Sequence, residues 1–172
     1  MPVAVRLRDA KGSNEDRNWI QSVYREYLND LSSLNTGLFP VLGEYGHREP
    51  DLLARWFADD RSHPLVLLKD ERPAGFALVV RPQPVLAGQQ QIDYRMSEFF
   101  VSAQHRRLGV GRDAATMIFN RFAGLWEVTE YLRNPGAVGF WRRTIRDYTN
   151  GKYSERIVDG EVRQVFRTVT RG

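Results

Sequence analysis

Glu98-Phe99-Phe100-Val101 and, a few residues later, Arg106-Arg107-Leu108-Gly109-Val110-Gly111-Arg112 form the stretch that decides the fold. The apolar run that closes at Val101 predicts a strand over 91–101, and Ala115, Ile118, Phe119 and Phe122 recur at helical spacing to predict a helix over 112–122. Between them lies a short basic loop with two glycines. A strand, a tight loop and a helix start make an anion site, because the first N–H groups of a helix have no partners within it and the helix dipole adds positive potential there. Gly109 and Gly111 remove side chains that would hold an anion away from the backbone, while Arg106, Arg107 and Arg112 supply countercharge. A pyrophosphate suits such a site.

Upstream, Val3 to Arg8 reads as a first strand, and Ser13 followed by Asp16 resembles a capping box. Trp19, Ile20, Val23, Tyr24, Tyr27, Leu28 and Leu31 then give one apolar helical stripe, read as core facing a sheet. A loop from Ser32 to His47 precedes a short helix with Pro50 in its first turn and Leu52, Leu53, Trp56 and Phe57 along it. The runs 65–68 and 75–80, joined by the polar turn 69–73, predict an antiparallel hairpin. Downstream, residues 125–132 return as a strand, Asn134 caps a helix that has Pro135 at its first position, and Asp159-Gly160 is a two-residue hairpin turn. The order is strand, helix, helix, three strands, helix, strand, helix, two strands: an α/β pattern with a largely antiparallel first half.

A chain of 172 residues with 42% hydrophobic content suits one domain over 1–172. With no cysteine, thiol catalysis, disulfides and cysteine-ligated zinc are excluded, and His47, His63 and His105 lack a paired metal-ligand spacing, so no metal is expected. No segment approaches the roughly 20 apolar residues of a membrane span, and the N-terminal apolar run is too short for a signal peptide, so a soluble cytoplasmic protein with no membrane partner is expected. The net charge of +4 fits either a nucleic-acid surface or a polyphosphate pocket.

The segment Arg106 to Gly111 matches the [Q/R]-x-x-G-x-[G/A] coenzyme A signature of the GNAT family of acetyltransferases, directly after a strand that ends in Val101. Glu98 to Val101 resembles the fourth strand of that family, and Asn134-Pro135-Gly136-Ala137-Val138-Gly139-Phe140-Trp141 is similar to its N-x-x-A-x-x-aromatic second motif. The resemblance implies a single α/β domain with a mixed, mostly antiparallel sheet splayed between its fourth and fifth strands and flanked by about four helices. It implies acetyl-CoA as co-substrate and direct transfer of the acetyl group to a primary amine of a small molecule or protein. The pantetheine arm would enter the splay against the backbone of Phe100 and Val101, with Asn134 and Ala137 alongside, and the pyrophosphate would sit on Arg106, Arg107, Leu108, Gly109, Val110, Gly111 and Arg112. Trp141 stands where the family often has a tyrosine that protonates the departing thiolate. An indole cannot serve as that acid, so Trp141 is expected to pack against the pantetheine or the core, with Tyr148 or water as donor.

Two other readings share these residues. Gly109-Val110-Gly111-Arg112-Asp113-Ala114 also fits a dinucleotide pattern with Glu130 near the ribose-binding distance, although too little chain follows for the parallel units such a fold needs. Arg142, Arg143 and Arg146 with Trp141 and Tyr148 could form a basic nucleic-acid-binding module, but they equally fit the solvated face of an amphipathic helix.

Attack by an amine requires a proton acceptor, for which Glu98 is the first candidate and Asp93, upstream on the same strand, the second. Strand alternation places Glu98 on the face of Phe100. A structural or substrate-positioning role for Glu98 is the alternative, as is a solvated strand end for Asp93. Asp30, Glu44, Tyr45, His47 and Glu49 could attract a cationic amine, but the acceptor is not named by any motif, and a homodimer is compatible with the sequence.

Overall fold

In the computed structural model, which describes residues 4–33 and 52–169, the chain enters as β1 (Val5–Asp9) and turns at Ser13 into α1 (Asn14–Ser33). The cap predicted from Ser13 is present: its Oγ accepts the Asp16 N–H at 3.2 Å. Asp16 is also held by Arg8 of β1, whose Nε donates to Oδ2 at 2.9 Å, so the cap fixes the helix to the strand before it. There follow α2 (Leu52–Ala58), β2 (Ser62–Lys69), β3 (Arg72–Val80) and β4 (Tyr94–Val101). A single 3₁₀ turn (Ala103–His105) leads to α3 (Val110–Arg121), β5 (Leu125–Tyr131), α4 (Pro135–Thr149), β6 (Ser154–Val158) and β7 (Glu161–Arg167).

The element order is the one expected, and the boundaries shift for local reasons. Asp70 and Glu71, both at positive φ (50° and 67°), close the β2–β3 hairpin tightly, so β3 takes in Pro73. The missing N–H of Pro73 is accommodated beside a bulge, where Leu67 pairs with Gly75 but Leu68 with Pro73. Helix α3 starts at Val110 instead of Arg112, because Gly109 at φ 81° turns the chain directly into the helix.

All seven strands form one sheet in the order β1-β2-β3-β4-β5-β7-β6, antiparallel except for the β4–β5 pair. One face packs on α3 and α4 through residues such as Leu65, Ile118, Phe119, Trp126, Trp141, Ile145 and Phe166. The other, over β2 to β4, is covered by Ile20, Tyr24 and Tyr27 of α1 and Trp56 of α2, against Phe76 and Phe100. The stripe expected of α1 is therefore core, with Trp19 and Val23 at its margin; the side chains of Leu28, Leu31, Leu52 and Leu53 lie outside the described residues.

A second bulge sets the faces of β4. Leu78 of β3 pairs with Glu98 and Val79 with Met96, so Ser97 is an extra residue. Tyr94 and Met96 belong to the α3/α4 core, whereas Phe100 belongs to the α1 core with Glu98 beside it. Without the bulge, strict alternation would put all four on one face.

Candidate active site

Strand β4 pairs with β5 over only three residues: Tyr94 with Trp126, Arg95 with Glu127 and Met96 with Val128. Beyond them β5 continues against β7 up to Tyr131, while Glu98 to Val101 stay paired only with β3. The two strands thus part after the bulge and leave a wedge whose β4 side is a strand edge. Such an edge offers backbone donors and acceptors to an extended ligand with amide groups.

At the end of that edge, Ser102 and His105 close the 3₁₀ turn through an Oγ to Nδ1 contact of 2.8 Å. The chain then passes Arg107 at φ 65° and Gly109 at φ 81°. The first bond within α3 runs from the Asp113 N–H to the Gly109 carbonyl (3.1 Å), which leaves the N–H groups of Gly109 to Arg112 without acceptors in the helix. Val110 is buried and anchors this turn, while Arg107, Leu108 and Arg112 are exposed around it. Arg106 folds back instead: its Nε donates to the Val101 carbonyl at 2.8 Å and its guanidinium lies over the Phe100 ring.

The two glycines do different work. A Cβ on Gly109 would meet nothing nearer than an Arg112 nitrogen at 4.0 Å, so this glycine is there for its positive φ and leaves the loop open to a ligand. A Cβ on Gly111 would come within 3.2 Å of two atoms of the Phe140 ring, so its hydrogen lets α3 approach α4. The Gly111 N–H is nevertheless among those without an acceptor in the helix, as is that of Gly109. Gly111→Ala is expected to destabilise the fold by roughly 1–3 kcal/mol through overpacking, measured by urea unfolding, and Phe140→Leu in the same chain is expected to recover part of the loss.

Glu98 lies on the α1 face of β4 and is 9% exposed. The Tyr27 hydroxyl of α1 donates to its Oε2. Burial pushes the Glu98 carboxyl up to about 7, partly countered by that hydrogen bond, which favours the ionised form. Burial, then the charge of Glu98, hold Tyr27 well above its ordinary value, so its phenol keeps the proton it donates. Tyr131, at the end of β5 on the far side of the wedge, is also raised by burial and, to a smaller degree, by the charges of Glu161 and Glu98. The result is a carboxyl raised towards neutrality by burial, bonded to a phenol that burial keeps protonated.

Residues 20–145 match the family model described as the acetyltransferase (GNAT) family. The chain belongs to that family. It is an N-acetyltransferase by this membership, and the family uses acetyl-CoA. Among solved structures, an acetyltransferase from Thermus thermophilus is similar at 18% identity and TM-score 0.66, covering 97% of this chain and 99% of that one. A GNAT-family acetyltransferase from Streptococcus agalactiae aligns at 14% identity and TM-score 0.67 over 98% and 96%. Spermidine N-acetyltransferase from Vibrio cholerae, in complex with CoA and spermine, aligns at 12% and TM-score 0.57 over 95% of each chain. At these identities the likeness is one of fold. No curated protein matches the chain.

The other residues singled out in the sequence occupy definite places in this GNAT sheet. Asn134 caps α4, its Oδ1 accepting the Ala137 N–H at 3.1 Å, with Pro135 in the first turn. Trp141 is buried in the core against Phe99, Phe119 and Phe140. Asp93 lies before the start of β4, where its Oδ2 accepts the Leu125 N–H at 2.9 Å. Five residue steps along the chain separate it from Glu98, at most about 16 Å. Tyr148 donates to the Asn120 Oδ1 at 3.1 Å and accepts the Val169 N–H at 3.1 Å. Asn120 is ten residues along α3 from Val110, roughly 15 Å from the helix start. The spacing of Tyr27 marks it as core and does not signal its bond to Glu98, and the one signal in the sequence for Tyr131 is its position ending a strand before the Asn134 motif.

The dinucleotide reading fails on topology, since among the described residues the glycine loop follows the fourth strand and only β4 and β5 are parallel. Glu130 is buried, accepts from Gln164 Nε2 at 2.6 Å, and is pushed up to about 8 by that burial. Arg142, Arg143 and Arg146 are exposed, and Arg142 is engaged by Glu155 through two bonds of 2.9 and 2.8 Å. No group of metal-ligating side chains occurs among the described residues, and no helix among them is long and apolar enough to cross a membrane. The loop residues Glu44, Tyr45, His47 and Glu49 and the side chain of Asp30 lie outside the described residues.

Proposed function

We propose that the chain transfers an acetyl group from acetyl-CoA directly to a primary amine, with Glu98 as proton acceptor. The observation that carries this reading is the position of Glu98: buried, held by Tyr27, and placed on the stretch of β4 that has parted from β5. The edge from Glu98 to Val101, which has no partner strand towards β5 and where Arg106 holds the Val101 carbonyl, supports binding of the pantetheine amides, and the unpaired N–H groups of Gly109 to Arg112 support binding of the pyrophosphate. When bound, acetyl-CoA supplies an activated thioester. What the chain adds is orientation and a proton path: an ionised Glu98 takes the proton of the amine, directly or through a water, while the buried surroundings limit competing hydrolysis. Tyr131 keeps its proton and faces the same opening, which makes it a candidate donor to the departing thiolate in place of Tyr148, whose hydroxyl already serves Asn120 and Val169.

The direct test is a panel of amines assayed for coenzyme A release alongside calorimetry with coenzyme A. Release with at least one amine is expected; tight coenzyme binding with no release across aminoglycosides, polyamines, amino acids and protein amines would count against amine transfer. Tyr27→Phe removes the bond that favours ionised Glu98, so the rise of kcat/KM with pH is expected to move to higher pH. A profile unmoved by that substitution would mean that Glu98 does not control the rate.

A further inference from the structure

The face of the sheet that carries Glu98 continues past the wedge across β5, β7 and β6. Trp126, Val128 and Phe166 mark the opposite, core-facing side, so Glu127 and Thr129 of β5 and Arg163 and Val165 of β7 project on the Glu98 side. Arg156 of β6 pairs with Arg163 in register. A groove of about 520 Å³ lies on this face, with Arg95, Glu127, Glu155, Arg156 and Arg163 in its wall.

The one carboxylate the wall presents on this face, that of Glu127, is already neutralised. Glu127 accepts from Arg95 Nε at 2.8 Å, while the Glu155 carboxylate turns to the α4 side, where it takes two bonds from Arg142 and a third from Gln164 Nε2 at 3.0 Å and so adds no charge to the groove. The charge left over is cationic. The Arg156 side chain makes no hydrogen bond or ion pair with another described residue, and Arg163, whose Nη2 reaches Glu161 at 3.2 Å, has a solvent-shielded Nε with no acceptor among them. A shielded guanidinium N–H without an acceptor is a rare and costly state that an anion in the groove would relieve.

We propose that this groove holds an anionic group of the acceptor, a carboxylate or phosphate, while the amine of the same molecule reaches Glu98. The proposal rests on the amine-transfer reading and narrows its substrate class. Arg163 lies two strands from β4 and Arg156 three, so with the wedge between β4 and β5 the amine and the anion are at least about 10 and 14 Å apart. Extended tri- and tetraglycine span about that length between their ends.

The test titrates triglycine and tetraglycine, and their C-terminal amides, into the protein while following the Arg Nε–H and backbone amide signals by NMR. Coenzyme A is titrated into a separate sample. The acids are expected to shift the Arg163 Nε–H signal and to bind roughly tenfold to hundredfold more tightly than the amides, and Arg156→Gln with Arg163→Gln is expected to abolish that preference. An aminoalkyl phosphate of similar length, run in parallel, distinguishes phosphate from carboxylate. No preference for acid over amide, whether through equal binding or through no binding of either, overturns the proposal, as do shifts confined to the Gly109 and Gly111 amides. Acid binding in the groove without acetylation would leave the proposed anion site standing and refute amine transfer. Loss of coenzyme A binding in the separate sample would refute the donor assignment alone.

Discussion

Glu98→Gln is expected to lower kcat by roughly 10²- to 10⁴-fold, the range usual for removal of a general base, with little change in coenzyme affinity. The shape is retained and the basicity is lost. In the unaltered protein, the carboxyl is pushed up to about 7, so activity is expected to rise with pH through neutrality as Glu98 ionises and then to level off. In the variant that limb should disappear. Stability should change in the opposite sense. A carboxyl raised from 4.5 to about 7 on folding favours the fold fully below pH 4.5, and this contribution is lost as pH rises towards 7. A neutral amide avoids that loss, so the variant should be more stable above neutrality by up to about 3 kcal/mol, read from urea midpoints at pH 5 and pH 8. Unchanged turnover and an unchanged pH profile would remove Glu98 from the chemistry. Asp93 would not inherit the role in its present position, because its carboxylate holds the Leu125 N–H at the far end of the strand.

The second large effect concerns the loop. Asn and Asp are nearly the same size and both tolerate positive φ better than other side chains, and the space beside the Gly109 α-carbon is open. Gly109→Asn is therefore expected to fold and to bind coenzyme A within a few-fold of the unaltered chain. Gly109→Asp places a negative charge beside the expected pyrophosphate, and loss on the order of 100-fold in affinity is expected by calorimetry, lessened at high salt. Equal binding by the two variants would show that the phosphates do not lie on this turn. Gly111 is a poor site for the same experiment, since any side chain there meets Phe140 before it meets a ligand.

Much of this architecture could be read from residue order, because the signals that determine it are local. Ser13 and Asn134 announce helix starts, Asp159-Gly160 a hairpin, and the stripe from Trp19 to Tyr27 a helix with one buried face. The loop from Arg106 to Gly111 was legible for the same reason. What escaped depends on distant partners. Ser97 is a bulge only because of how β4 meets β3, and nothing in its own neighbourhood signals it. Tyr27 was rightly taken as buried, yet its hydroxyl serves a carboxylate 71 residues away. Gly111 belongs to the phosphate motif, and that its α-carbon also packs against a ring of another helix is not signalled by its neighbours in the chain. Arg156 and Arg163 come from an ordinary hairpin and gain meaning only when the sheet brings them into the face of Glu98.

The parting of β4 and β5 also bears on how the protein survives without its ligand. An unpaired strand edge is a template for another extended chain, and most sheets confine such edges to their margins, where charge or covering segments protect them. Here the edge from Glu98 to Val101 lies in the middle of the sheet, between halves joined in the sheet by three residue pairs. The donor would act as a removable strand. By mass action, its cellular concentration would then set the folded population as well as the reaction rate, and an enzyme starved of coenzyme would be more prone to unfold or self-associate than one at rest with its pocket filled.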